Sequence, residues 1–396
     1  MVGSRAGQKR MTLAENKRPW LILRLLPEMT RVRFYALIDH FQSPEVVLGA
    51  PAKEISALRG FDEDLARKIL DAPRTVETGP EEEQMARLGV TLLTLEDPEY
   101  PENLRQSSFA PPLLFLRGRL APSDRYALAI VGSRHATQYG RGVTQQMAGR
   151  LAACGLTIVS GFARGIDAAA HEAALRAGGR TLAILGNGHS VCYPAEHERL
   201  REDILASGGA LLSEYPMQTP PDRFNFPERN HVIAAISLGT LVVEAAEKSG
   251  ALITAREALE ENRFVFAVPG DVTRLNSRGT NGLIQAGAKL VQRPEDILME
   301  MRHVLRGYLR EEAFAESGSP TGESAQTPSV SPRAPLTPEE EQVFQLIAHE
   351  PQHFDLLLSR LDETQVTPAR LSAILLALEL KQVVKQMPGK IYVSVV

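Results

Sequence analysis

The sequence has few cysteines and no long apolar run. Cys154 and Cys192 are the 2 cysteines among 396 residues, and they lack the CxxC spacing of redox and zinc sites. This scarcity excludes a disulfide framework and favours a reducing compartment, with both side chains filling core positions. No stretch of about 18 apolar residues occurs, and the N-terminus lacks the apolar core of a signal peptide. We therefore expect a cytoplasmic protein that makes no membrane contact.

The sequence motifs of several enzyme classes are also missing. The chain contains no Walker A, GxSxG or HExxH string, and no dinucleotide-binding GxGxxG follows the first predicted strand. His171, His189 and His197 have a spacing that matches no familiar metal site. We therefore predict no catalytic residues, no metal and no cofactor.

Positive charge is not in excess over the chain as a whole. Lys and Arg number 44 against 48 Asp and Glu, which gives a net charge of -4. The N-terminal segment is nevertheless rich in Lys and Arg, and the C-terminal segment is rich in Asp and Glu. Any binding of nucleic acid must therefore depend on a local basic patch.

Composition and periodicity divide the chain into five segments. Residues 1–19 are polar and basic and are predicted to be disordered. Apolar residues at helical spacing predict a SAM-like or helix-hairpin-helix domain over 20–80. Alternating strand and helix patterns predict a larger Rossmann-like domain over 81–305. Residues 306–335 have the Ser- and Pro-rich composition of a flexible linker. Three helical patterns and a β-hairpin predict a winged helix over 336–396.

The central segment alternates short β-branched runs with helical patterns. Such alternation is typical of an α/β protein with a doubly wound, mostly parallel sheet, which binds its ligands at the carboxyl ends of the strands. The predicted strands are 127–131, 157–160, 181–185, 210–213, 240–243, 264–268 and 289–291.

Glycine accompanied by Ser, Thr, Arg or Lys occurs at several of these strand ends. Glycine lets the backbone approach a phosphate, and a helix N-terminus supplies free N–H donors. One such loop is equally consistent with a tight turn, but several on one sheet edge predict an extended phosphate-binding surface suited to a polyanion. The candidate residues for binding single-stranded DNA are Gly132, Ser133, Arg134, Ser160, Gly161, Phe162, Arg164, Gly186, Phe226, Arg229, Asn230, Lys248, Ser249, Gly250 and Asn281.

Some loop residues have two interpretations. Phe162, Phe224 and Phe226 are candidates for stacking on bases, although at least two of them could instead cover the sheet. Asp167 is interpreted as a helix N-cap. Glu244 could act as a general base, bind a ribose, or accept hydrogen bonds from a neighbouring loop, and we favour the last of these.

The central segment contains a series of short sequence blocks. They are Asp97-Pro98-Glu99-Tyr100-Pro101, Pro112-Leu113-Leu114, Arg117-Gly118, Ile130-Val131-Gly132-Ser133-Arg134, Ser160-Gly161, Arg164-Gly165-Ile166-Asp167, Ala170-His171, Tyr193-Pro194, Ser213-Glu214-Tyr215-Pro216, Phe226-Pro227, Arg229-Asn230, Val243-Glu244-Ala245, Lys248-Ser249-Gly250-Ala251-Leu252-Ile253-Thr254-Ala255, Val268-Pro269-Gly270, Gly279-Thr280-Asn281, Leu283-Ile284 and Gly287-Ala288. Together these blocks resemble the DNA-processing protein A (DprA, or Smf) family, in order and over roughly half the chain.

The resemblance implies an extended Rossmann-like fold that binds single-stranded DNA and forms a homodimer. It also implies delivery of the RecA recombinase onto strands held by single-strand-binding protein, in natural transformation, DNA repair or both. Arg134 would contact a phosphate, and Arg164 and Lys248 would belong to the groove. The chain has Ala195 and His231 where the family often has Lys and Arg, so we do not transfer those two contacts.

A second interpretation is a nucleotide-processing enzyme. Gly239-Thr240 followed by Glu244 resembles the phosphoribohydrolases of nucleoside monophosphates, which pair a Gly-Gly-x-Gly-Thr loop with a catalytic Glu. In this chain Ile236, Ser237 and Leu238 precede Gly239, so the glycines that would wrap a phosphate are missing. Their absence counts against the enzyme.

Overall fold

The computed structural model describes residues 13–108, 110–309, 337–347, 352–361, 367–381, 383–387 and 391–394. The chain divides into two compact units at residues 317 and 318. Residues 1–12 of the predicted tail and 310–335 of the predicted linker lie outside the described residues.

Within the described part of the first unit, nine strands form one sheet in the order β1-β2-β6-β5-β4-β3-β7-β8-β9. The pairs β1/β2 and β2/β6 are antiparallel, and the remaining pairs are parallel. The strands are β1 (Val90–Thr94), β2 (Leu113–Gly118), β3 (Ala127–Val131), β4 (Thr157–Ser160), β5 (Thr181–Leu185), β6 (Ala210–Ser213), β7 (Gly239–Val242), β8 (Phe264–Ala267) and β9 (Lys289–Leu290).

The order in which strands are added to the sheet reverses between β3 and β7, which run parallel to each other. From β3 the chain adds β4, β5 and β6 on one side, and it then crosses to place β7 on the other side of β3. The loops that follow β3 and β7 therefore diverge and leave a crevice at the carboxyl ends of these strands. In open α/β sheets such a switch point is the usual ligand site.

Helices cover both faces of the sheet. Along β3, Ala127 and Ala129 face the cluster that contains α11 and α12, whereas Leu128 and Ile130 face the cluster that contains α8 and α9. This alternation follows from the two-residue period of a strand. The helices after β1 are α7 (Glu102–Arg105), α8 (Gln138–Ala153), α9 (Ile166–Arg176), α10 (Glu198–Ala206), α11 (Asn225–Ile236), α12 (Gly250–Glu260), α13 (Leu275–Gln285), α14 (Pro294–Glu300) and α15 (Arg302–Leu305).

The helices that precede the sheet pack directly against it. Their core includes Trp20, Phe34 and Ile69 together with Phe115 of β2, so this helical layer belongs to the first compact unit. The Arg24 Nε donates to the carbonyl of Glu214 at 2.9 Å across the junction. The helices are α1 (Arg18–Leu25), α2 (Arg31–Phe41), α3 (Pro44–Gly49), α4 (Ala52–Ser56), α5 (Glu63–Thr75) and α6 (Gly79–Leu88). The segment boundaries at 19 and 80 stay predictions.

The fold class predicted from the sequence is confirmed, and β3 to β6 begin and end where the β-branched runs do. β7 starts one residue earlier than predicted, at Gly239. β1 and β2 were not predicted. The run in β2, Leu113-Leu114-Phe115-Leu116, has no β-branched residue and cannot be told from a buried helix segment by periodicity. β1 has three β-branched residues among its five, and the sequence analysis missed it.

The second unit is a winged helix, as the sequence predicted. It contains α16 (Pro338–Ile347), α17 (Phe354–Arg360) and α18 (Pro368–Leu380). A three-stranded antiparallel sheet in the order β10-β12-β11 joins β10 (Gln352–His353), β11 (Val384–Met387) and β12 (Ile391–Ser394). Val343, Leu357, Leu371, Leu375 and Leu378 form its core. In the described ranges of both units, no helix combines the length and apolar character needed to span a bilayer.

The packed part of the first unit continues beyond residue 305. Leu305 and Leu309 are buried against the face of the sheet that α8 and α9 cover. The ring of Tyr308 stacks on Tyr126 with centroids 3.8 Å apart and planes at 15°. Its hydroxyl donates to the carbonyl of Gly155 at 2.8 Å. Tyr308 thus joins the end of this unit to the start of β3 and the end of α8.

Tyr308→Ala should lower the free energy of unfolding of the first unit by about 1–2 kcal/mol, because both the ring stack and the hydrogen bond are lost. Tyr308→Phe retains the stack and should lose about half as much. Urea unfolding followed by circular dichroism measures both variants. Equal stability of wild type and Tyr308→Ala would contradict this role.

Candidate nucleic-acid interface

A groove of about 690 Å³ opens at the switch point between β3 and β7. Its walls come from the loops after these two strands and from the start of α11. The predicted residues that border it are Gly132, Ser133, Arg134, Phe226, Arg229, Asn230, Lys248, Ser249 and Gly250. The structure therefore brings together residues that are widely separated in the sequence.

Backbone hydrogen bonds fix the floor of the groove. The Ser133 N–H donates to the carbonyl of Glu244 at 2.7 Å, and the Ile166 N–H donates to the carbonyl of Ser133 at 3.2 Å. Gly165 has φ +82°, and any side chain there would overlap the carbonyl of Ser133. The ends of β3, β4 and β7 are thereby held in one arrangement.

The Glu244 carboxylate binds Thr137, the N-cap residue of helix α8. It accepts from the N–H of Thr137 at 2.9 Å and from the Thr137 hydroxyl at 2.5 Å. It is buried above Gly140, where any side chain would overlap it. The prediction that Glu244 accepts donors from a neighbouring loop is confirmed. Both carboxylate oxygens are occupied, so the geometry does not favour a general base.

Arg134 and Lys248 are the cations that follow the two strands of the switch point. Arg134 follows β3 and Lys248 follows β7, and both are exposed. Across the part of the chain that the structure describes, neither forms an ion pair. The Arg134 guanidinium carbon lies 5.1 Å from the centre of the Phe226 ring. These two side chains are available to neutralise phosphates.

Aromatic rings border the same groove. Phe226 and Tyr193 stack with centroids 5.6 Å apart and planes at 29°. Phe224 lies in the same segment of the chain and is 65% exposed, but it does not line the groove. Phe162, by contrast, is 2% exposed and packs edge-on against His197 at 5.3 Å, so it belongs to the core and presents no face to a base. Phe226 and Phe224 therefore remain as stacking candidates.

Arg229 has a different environment from Arg134. It is 4% exposed and donates to the carbonyls of Gly161 at 2.6 Å and of Ile184. Burial lowers its pKa to about 10, and the nearby carboxylate of Asp167 partly opposes that shift. Burial also disfavours the charged form of Asp167, and this raises the pKa of its carboxyl group to about 6. Arg229 thus holds the ends of β4 and β5 together through buried hydrogen bonds. The sequence analysis had instead proposed it as a phosphate contact.

Three further residues serve the fold. The Ser160 hydroxyl is buried and donates to the carbonyl of Ile130 at 2.6 Å. Asn281 lies outside the groove and uses both ends of its amide on Gly270. Asp167 is not an N-cap: α9 begins at Ile166, and the carboxylate accepts from the preceding Ala163 N–H at 3.2 Å. Their polar groups are used within the protein.

The other predicted residues border a small cavity beside the groove. Gly161, Phe162, Arg164 and Gly186 line it, and Arg134 and Phe226 separate it from the groove. Arg164 is exposed, but its Nε lies 2.5 Å from a carboxylate oxygen of Glu196.

Tyr193 and Arg223 also line the groove but were not among the predicted site residues. Both lie in long loops well after a strand, whereas the sequence argument considered only residues close to each strand end. Applying it to the far end of the loop after β5 would have found Tyr193.

Arg229→Ala should lower the free energy of unfolding by about 3–5 kcal/mol, because it leaves buried carbonyls and a buried carboxylate without their partner. Arg134→Ala, which removes an exposed arginine from the same region, should leave stability close to that of wild type. Urea unfolding of the two variants makes the comparison. If Arg229→Ala were as stable as Arg134→Ala, the supporting role of Arg229 would be rejected.

Comparisons with known proteins agree with this architecture. The family described as DNA recombination-mediator protein A matches residues 91–302, and the DprA winged helix domain matches residues 327–390. Protein Smf of Synechocystis is 32% identical over 391 residues, covering 94% of this chain and 97% of that protein. Protein Smf of Escherichia coli is 45% identical over 211 residues, which cover 53% of this chain but only 56% of that protein.

A solved structure is also similar. The X-ray structure of DNA processing protein A from Streptococcus pneumoniae superposes with a TM-score of 0.63 at 34% identity, covering 73% of this chain and 99% of the other. The family match over residues 91–302 covers the sheet and the groove at its switch point. The chain belongs to the DNA recombination-mediator protein A (DprA/Smf) family.

Proposed function

We propose that this chain binds single-stranded DNA in the groove between β3 and β7 and acts as a recombination mediator that loads RecA onto the bound strand. Membership of a family of recombination mediators supports the role. RecA, single-strand-binding protein and a second copy of this chain are the partners that the proposal includes. A cytoplasmic location is part of it.

The observation that carries the proposal is the pairing of Arg134 and Lys248 with the Tyr193 and Phe226 rings in one groove. The two cations come from loops on opposite sides of the switch point, so a ligand that runs along the groove can place one negative charge at each of them. A nucleic-acid backbone has this property. The Phe226 and Tyr193 rings lie beside the cations, where unpaired bases could stack on them.

A single strand suits this site better than a duplex. Bases offer their faces for stacking only when they are unpaired, and an aromatic platform next to cations is the usual arrangement in proteins that bind single strands. The chain also carries a net charge of -4, which disfavours general attraction to duplex DNA.

The alternative, hydrolysis of a nucleoside monophosphate, has less support. It needs a free carboxylate at the groove, but both oxygens of Glu244 accept hydrogen bonds from Thr137. It also needs a glycine-rich loop, and Ser237 and Leu238 precede Gly239. These features favour a binding protein without chemistry of its own.

Fluorescence anisotropy of a labelled oligo-dT tests the ligand class. We expect tight binding that neither a duplex of equal length nor AMP displaces, because neither offers both a flexible polyanion and free base faces. Recombinase assembly on a strand coated with single-strand-binding protein is the next assay. Displacement by AMP alone would instead support the nucleotide enzyme and make Glu244 the residue to mutate.

Arg134→Ala should weaken binding to a similar degree for all sequences and flatten the dependence of log K on log salt by about one unit, because one phosphate contact is lost. Lys248→Ala should behave alike. Arg67→Ala, which removes an exposed arginine on α5, is the matched control and should keep the wild-type slope. An unchanged slope for Arg134→Ala would exclude it as a phosphate contact.

A further inference from the structure

A second, more open cavity of about 530 Å³ continues from the groove on the far side of Arg134. Arg134 borders both spaces, so a strand that leaves the groove past this residue enters the second cavity. Its charged walls are Arg134, Arg141, Arg164, Glu172 and Glu196, with His135 and His197 beside them.

Three arginines from different elements meet there. Arg134 follows β3, Arg164 follows β4, and Arg141 lies in the first turn of α8. A cation in the first turn of a helix opposes the helix dipole, and the Glu244 carboxylate at this end of α8 is held by Thr137. Within the described ranges, Arg141 has no carboxylate partner. An anion in the cavity would be stabilised by the three arginine side chains.

Glu196 already occupies one of these arginines. The Arg164 Nε and Nη2 lie 2.5 and 3.0 Å from the two carboxylate oxygens of Glu196. Arginine binds a phosphate with the same bidentate geometry. The guanidinium lowers the pKa of Glu196, so the pair stays charged at neutral pH.

The second carboxylate of the cavity, that of Glu172, does not bind an arginine that lines the cavity. Glu172 lies 3.6 Å from Arg176, one turn along α9. Glu172 and Glu196 thus place the same charge beside the same cavity, but only Glu196 is bound to an arginine that borders it.

We propose that this cavity is a second phosphate-binding segment of the single-strand groove, in which Glu196 holds Arg164 until a DNA phosphate displaces it. The proposal rests on the proposed function. The side chains of Arg164 and Glu196 are 51% and 53% exposed, and exposed ion pairs are weak. A strand held by Arg134 can therefore exchange this carboxylate for its own phosphate.

Glu196 accordingly lowers the affinity for single-stranded DNA. Arg164 contributes to binding only when a phosphate has displaced Glu196 from it. A strand anchored in the main groove presents its next phosphates at high effective concentration, whereas a free anion does not. Arg164 would therefore be engaged by strands long enough to pass Arg134.

The test is a double-mutant cycle by anisotropy on labelled oligo-dT, with wild type, Glu196→Gln, Arg164→Ala and the double variant. Glu196→Gln should tighten binding about twofold to fivefold and steepen the salt dependence by about one unit. Arg164→Ala should lower affinity more in the Glu196→Gln background than in wild type. Arg141→Ala should flatten the salt dependence by about one unit.

Glu172→Gln is the matched control, because it removes the same charge from the same cavity. It should tighten binding less than Glu196→Gln and show no coupling to Arg164→Ala. Thermal melting by circular dichroism checks that every variant is folded.

If wild type binds oligo-dT but Glu196→Gln and Glu172→Gln behave identically, or the cycle shows no coupling, the second segment is rejected and the main groove stands. An unchanged salt slope for Arg141→Ala would also reject it. If wild type does not bind oligo-dT at all, the proposed function fails and this inference fails with it.

Discussion

The structure of the groove depends on the contact between the loops that follow β3 and β7. The backbone of Glu244 accepts from Ser133, while its carboxylate accepts from Thr137, the N-cap residue of α8. One residue therefore joins the two halves of the doubly wound sheet at the point where they diverge. Arg134 directly follows Ser133, and Lys248 lies one short turn beyond Glu244, so the placement of both cations follows from this junction. A carboxylate that could be taken for a catalytic group is in this chain a structural one.

Burial separates residues of the same type into different roles. Arg134 and Arg229 both border the groove, but Arg134 is exposed, whereas Arg229 is enclosed and donates to carbonyls at the ends of β4 and β5. A buried guanidinium is costly unless carbonyls and carboxylates surround it, and Arg229 has both. Its charge is therefore used within the protein, where it fixes the strand ends that form the floor of the groove.

The acidic balance of the chain is compatible with nucleic-acid binding because the relevant electrostatics are local. Cations from separate strand ends converge on one edge of the sheet, while acidic residues elsewhere keep the net charge at -4. An acidic residue within this edge then has a large influence, because it competes directly with phosphate for an arginine. The pairing of Glu196 with Arg164 is such a case, and we propose that it tunes the affinity of this family member.

The sequence by itself determined the fold class, the bounds of the central strands and the winged helix, since alternation, β-branched runs and glycine at strand ends are local features. It also indicated that Arg134 and Lys248 would share one sheet edge, because carboxyl ends of parallel strands share an edge. It could not determine that Phe162, Ser160 and Arg229 are enclosed, that Asn281 holds Gly270, or that Glu196 faces Arg164. Those outcomes depend on contacts between loops far apart in the chain, and only tertiary packing decides which side of a loop faces the solvent.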